Sequence, residues 1–132
     1  MRAASVSGPL SVLVLVAMLA GGAACDSSQP QPPSGGGTLP ADLQPGQAKF
    51  TAHCAACHGP QGTGTQQGPP LVHKIYEPNH HGDAAFQRAA GLGVKAHHWQ
   101  FGDMPKIDAV TPADIEDIIR YVRWLQRQAG IF

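Results

Sequence analysis

Three cysteines, at positions 25, 54 and 57, are all that this 132-residue chain contains. So few exclude a small scaffold stapled by several disulfides. Charge of either sign is also missing: nine Lys plus Arg balance nine Asp plus Glu, a formal net charge of zero. This leaves no electrostatic ground for nucleic acid as a partner. The apolar run from Leu10 to Ala20 is eleven residues long, whereas a membrane-spanning helix needs about 20. No segment sustains the period-two alternation of strands, so β structure is expected to be slight and the fold all-α. Gly (16) and Pro (12) are abundant for one small domain. Such a chain is loosely packed by itself and fits a domain whose core is completed by a large apolar cofactor.

The N-terminal stretch is organised for export. Arg2 precedes the apolar run, and the small residues Gly21, Gly22, Ala23 and Ala24 follow it, so residues 1–24 read as a signal peptide. Cys25 comes directly after Gly-Ala-Ala and resembles the lipidated first residue of a bacterial lipoprotein. Gly22 departs from that pattern, where Leu is usual, which leaves cleavage beside Ala24 or an uncleaved anchor open. Residues 25–40, rich in Pro, Gly and Ser, form the expected disordered tether. Residues 41–132 are then the folded domain, exported and held at the outer face of a membrane.

The remaining two cysteines carry the chemistry. Cys54-Ala55-Ala56-Cys57-His58 is a C-x-x-C-H stretch, the attachment pattern of a c-type haem. Two thiols at this spacing can add to the two vinyl groups of one porphyrin, and the next residue brings an imidazole to the iron. A zinc site and a redox disulfide are the competing uses of paired cysteines. Around the motif, Gly46 and Phe50 lie four apart on one face of an expected helix starting near Ala41, the glycine permitting close approach of a second helix. That second helix opens at Thr111 as N-cap, with Pro112 next and Asp114 three beyond the cap, and buries a stripe of Ile115, Ile118, Ile119, Val122 and Leu125. Arg120, Arg123 and Arg127 are expected off that stripe, near the helix C-terminus where cations suit the dipole. A shorter helix between these two is expected to take Asp83 as N-cap, turn Phe86, Ala89 and Ala90 inward and end at Gly91 or Gly93. The glycines around Thr63 are expected to let backbone approach the macrocycle, and His53 is expected to be exposed.

The stretch from about Pro45 to Gln128 resembles the class I c-type cytochromes, on the haem motif and on the helix-crossing set Gly46, Phe50 and Tyr121. The resemblance implies one covalently attached haem c within crossing N- and C-terminal helices, and one-electron carriage between redox partner proteins by a monomer, without enzymatic activity. It implies His58 as one axial ligand and Pro69, in Gly68-Pro69-Pro70-Leu71, as the carbonyl that orients it. Met104 stands where the family carries its thioether ligand and is the only methionine after Met18. His97 and His98 compete for that role. The stretch from His73 to Phe101 departs from the family pattern and holds five of the seven histidines, His73, His80, His81, His97 and His98. Hydrogen bonding in loops and to haem propionates, a second metal site for copper or zinc, and a pH-sensing or partner-contact role are open for them. Two other functions compete with electron carriage: a haem enzyme of peroxidase or oxidoreductase type, and a metal-handling haem module using the His-rich loop.

Overall fold

The computed structural model describes residues 37–132. The expected signal peptide, Cys25 and the tether up to residue 36 lie outside the described residues. A 3-10 turn at Ala41–Leu43 leads into α1, Gln44–His53. Cys54 leaves helical geometry at φ −122°, and the chain resumes as a short α2, Ala55–His58. Gly59, at φ +79°, stops it, since a side chain there would strain the backbone and meet the Gly64 carbonyl at 2.8 Å. A 3-10 turn at Lys74–Tyr76 precedes α3, Asp83–Leu92, and then α4, Pro112–Gln128. No helix among the described residues is long and apolar enough to cross a membrane. The fold is all-α, and the single β-type feature among the described residues is an isolated antiparallel bridge between Val94 and Met104.

α4 begins as its sequence dictates. The Thr111 hydroxyl accepts from the Asp114 amide while the Asp114 carboxylate accepts from the Thr111 amide, a complete capping box with Pro112 at the first helical position. Its buried stripe includes Ile115, Ile118, Ile119, Val122 and Leu125. α1 crosses it at Gly46, where an added Cβ would stand 2.1 Å from the Asp117 carbonyl oxygen and 3.1 Å from the Tyr121 Cβ. Four residues on, Phe50 packs against Tyr121 with ring centroids 5.6 Å apart, inside the geometry that favours tilted aromatic pairs. Because backbone meets backbone at Gly46, Gly46→Ala is expected to cost about 3 kcal/mol by forcing the helices apart. Urea unfolding of the haem-loaded protein measures that loss; an unchanged midpoint would refute the close crossing.

Charge reinforces the same crossing at its solvent edge. Lys49 Nζ lies 2.8 Å from Asp114 Oδ1 and 2.6 Å from Asp117 Oδ2. Lys49 is the first cause holding both carboxyls below the usual carboxylate range. A folded pKa below the unfolded one means the native state binds fewer protons, so this contribution is present above about pH 4 and lost as pH falls further. Stability measured down to pH 2 should therefore fall on the acid side, and Lys49→Gln should flatten the slope. An identical slope in the variant would remove Lys49 as the cause.

Two expectations are corrected. Gly82, and not Asp83, is the N-cap of α3; Asp83 occupies the first helical position and makes no cap, because its carboxylate is drawn to Arg123, 2.8 Å from Nε. Arg123 is buried with 8% of its surface exposed and does not lie off the α4 stripe with Arg120 and Arg127. The glycine loop after His58 packs on its own chain: an added Cβ at Gly64 would meet Pro70 N at 2.9 Å, and one at Gly62 would meet the Val72 side chain at 3.3 Å. Gly93, at φ +78°, ends α3, and His53 is exposed.

Candidate haem site

His58 is placed by the turn after α2 and by the loop that follows it. Its Nδ1 donates to the Pro69 carbonyl oxygen at 2.8 Å. Since a carbonyl can only accept, the proton sits on Nδ1 and Nε2 keeps its lone pair. Burial lowers the His58 pKa, the Pro69 bond partly opposing it, so the neutral ring is favoured. Gly68 sets the approach of the proline: a Cβ there would meet the Cys57 carbonyl at 2.9 Å. Thr65 Oγ1 donates to that same carbonyl at 2.6 Å.

Cys54 is half-buried and Cys57 exposed, and neither forms a disulfide. Burial pushes the Cys54 thiol up to about 11, with Cys57 adding to the shift. Cys54, His58 and Pro69 line one side of a cavity of about 530 Å³, to which Met104 also contributes. The rest of the lining is largely apolar and includes Leu71, Phe86, Ala89, Val94, Ile115 and Ile118.

Met104 reaches the cavity from a loop with a closed neck. Val94 N donates to Met104 O and Met104 N to Val94 O, each at 2.9 Å. One residue further out, Lys95 Nζ lies 2.5 Å from Asp103 Oδ2, and the Ala96 amide donates to Asp103 Oδ1 at 3.0 Å. The neck sits tightly on Gly93, where a Cβ would meet the Met104 carbonyl at 2.6 Å. His97 and His98 project from this loop, and both also line the cavity. Their ring nitrogens have other partners: His97 Nδ1 donates to Lys95 O at 2.7 Å, and His98 Nε2 faces His80 Nε2 at 3.3 Å.

These residues suit a haem. The lining is apolar, with imidazole, thioether and thiol groups on it, as a porphyrin with an axially ligated iron requires. Trp99, also on the cavity wall, has a buried indole N–H with no hydrogen-bond partner among the described residues. Tyr76 is close enough that this indole tempers the upward push of burial on its phenol, yet the N–H remains without an acceptor. A haem carboxylate is the acceptor chemistry that would satisfy it.

A family model described as Cytochrome c matches residues 43–126. The chain belongs to the cytochrome c family. No curated protein and no solved structure matched. As a cytochrome c it has covalently bound haem c as its cofactor, and Cys54 and Cys57 are spaced like the attachment motif. The family is one of haem-based electron carriers.

Two residues of this cytochrome escaped the sequence reading. Arg123 reaches from α4 under the cavity floor, donating through Nη1 to Tyr76 O at 2.7 Å and to Gln126 Oε1 at 2.7 Å, and through Nη2 to His81 O at 2.6 Å. Its guanidinium also lies 4.9 Å from the centroid of the Phe86 ring. Gln126, 1% exposed, donates to Leu71 O at 2.8 Å and to Tyr76 O at 3.0 Å. Together they tie the strandless segment 71–81 to α4. A signal for both was present, because 123 is four after Ile119 and 126 four after Val122, on the inward side of the helix.

Proposed function

We propose that this cytochrome is a one-electron carrier in which Cys54 and Cys57 bind the haem covalently and His58 and Met104 are the axial ligands. The observation that carries the reading is the 2.8 Å bond from His58 Nδ1 to Pro69 O, which leaves Nε2 of a neutral, half-buried imidazole as the free donor on a cavity that Met104 also lines. The bound haem supplies reversible Fe(III)/Fe(II) chemistry. Pro69 orients His58, and the Val94–Met104 bridge holds the thioether-bearing residue by its backbone. The apolar lining excludes water and limits reorganisation between oxidation states. The engagement of His98 Nε2 with His80 favours Met104 over that histidine as sixth ligand.

The partners of this carrier are donor and acceptor redox proteins, and we assign it to the outer face of a membrane on the sequence pattern of residues 1–40, with Cys25 as lipid anchor. An optical spectrum of the purified ferric protein tests the ligand set. A far-red band from a thioether bound to iron, with slow reaction toward cyanide, is the expected result. Rapid cyanide or peroxide reaction would instead indicate an open iron and a haem enzyme.

A further inference from the structure

Histidines separated in sequence meet at the rim of the haem cavity. The segment before α3 brings His80 and His81, and the closed loop from Val94 to Met104 brings His97 and His98. Ring centroids lie 4.7 Å apart for His80 and His81, 5.2 Å for His80 and His98, 5.1 Å for His81 and His98, and 4.3 Å for His97 and His98. One ligating nitrogen from each of His80, His81 and His98 falls within 4.8 Å of the others.

We propose that His80, His81 and His98 bind one divalent transition cation of the copper or zinc class. The separation of His80 Nε2 from His98 Nε2, 3.3 Å, is the edge of a tetrahedron about a metal: bond lengths of about 2.0–2.1 Å at the tetrahedral angle place two nitrogens roughly 3.3–3.4 Å apart. The other ring is already oriented as a ligand is. His81 Nδ1 donates to Ile75 O at 2.7 Å, which in the neutral ring leaves Nε2 as the ligating nitrogen. A backbone carbonyl behind the imidazole is the usual arrangement behind a metal-bound histidine.

The donor set selects the metal. Three neutral imidazoles suit copper and zinc and do not suit calcium or magnesium, which take oxygen. Cu²⁺ is held tightest among the divalent first-row cations. The site also has support beneath it, since Arg123 Nη2 donates to the His81 carbonyl at 2.6 Å. Occupancy would bridge the loop that ends in Met104 to the segment held by α4, closing one rim of the cavity.

The inference depends on the histidines and not on the axial ligand assignment, so the two are tested separately. Haem-loaded protein is titrated with Cu²⁺, and separately with Zn²⁺, and the bound metal counted per haem. One equivalent of each is expected, Zn²⁺ competing with Cu²⁺, and the Cu²⁺ paramagnetic resonance spectrum should carry splitting from at least three nitrogens. His98→Gln and His80→Gln should each weaken binding by at least 100-fold, while His53→Gln, distant in the fold and exposed, leaves it unchanged. The haem spectrum of each variant checks that the fold survives. Should a variant lose its haem, the nitrogen splitting and stoichiometry of the parent protein decide alone. Absence of stoichiometric uptake, or equal uptake by His98→Gln protein with intact haem, would overturn the site and leave the imidazoles as hydrogen-bond partners of haem carboxylates.

Discussion

Met104→Ala should abolish the far-red thioether band and lower the midpoint potential by on the order of 0.2 V, a fraction of the roughly 0.8 V that axial ligands span. A thioether stabilises the reduced iron, so its removal favours the ferric state. The variant isolates the ligand from its loop, because the pairing of residues 94 and 104 uses only backbone groups. Lys95 and Asp103 continue to close the neck, and the haem stays attached through Cys54 and Cys57. Redox titration with simultaneous optical recording measures both quantities. An unchanged band and potential would reject Met104 as the sixth ligand and return attention to His97 or His98.

Arg123→Ala is the second large effect, expected to destabilise the folded protein by about 3 kcal/mol or more, since each buried acceptor left without its donor costs about 1–3 kcal/mol. That is a large share of the roughly 5–15 kcal/mol holding a typical domain together. The loss resides mainly in the acceptors left behind. His81 O and Gln126 Oε1 lose the Arg123 donor, and Tyr76 O keeps only Gln126 Nε2. The carboxylate partner matters less: the Asp83 side chain is 66% exposed against 9% for Arg123. Asp83→Asn should therefore cost under about 1 kcal/mol. Arg123→Lys should not rescue, since an ammonium cannot span Asp83 and three further acceptors with one planar fork. Denaturant unfolding of the three variants decides; equal losses for Asp83→Asn and Arg123→Ala would place the energy in the ion pair instead.

The helices were legible where local rules carry their own ends. Thr111, Pro112 and Asp114 announce the start of α4, and its apolar stripe announces the buried face. Gly46 and Tyr121 announced the crossing, because only a residue without a side chain lets two backbones touch. Asp83 was misread because a tertiary partner outcompeted the cap, a choice no local pattern contains. Arg123 was misread for a related reason: an arginine on a helix is usually solvated, and the two backbone carbonyls that accept from it, Tyr76 O and His81 O, come from the segment before α3, distant in sequence. The meeting of His80 with His98, eighteen residues apart, depends on how α3 reverses the chain and could not be read from spacing. The haem motif was the clearest of all, since its chemistry requires its residues to be adjacent.

The crossing of α1 with α4 also sets an order of events in the making of the protein. Lys49 and Asp117 are 68 positions apart, and the groove that accepts Gly46 is built from residues near the C-terminus. Contacts at such separation are entropically costly to close and form late. A chain made N-terminus first therefore presents Cys54 through His58 as open polypeptide well before the helix that completes the domain arrives. During that interval both thiols are equally reachable, whereas in the finished fold Cys54 is half-buried. Attachment of the cofactor is thus best suited to the nascent chain, and folding then follows around a group already in place.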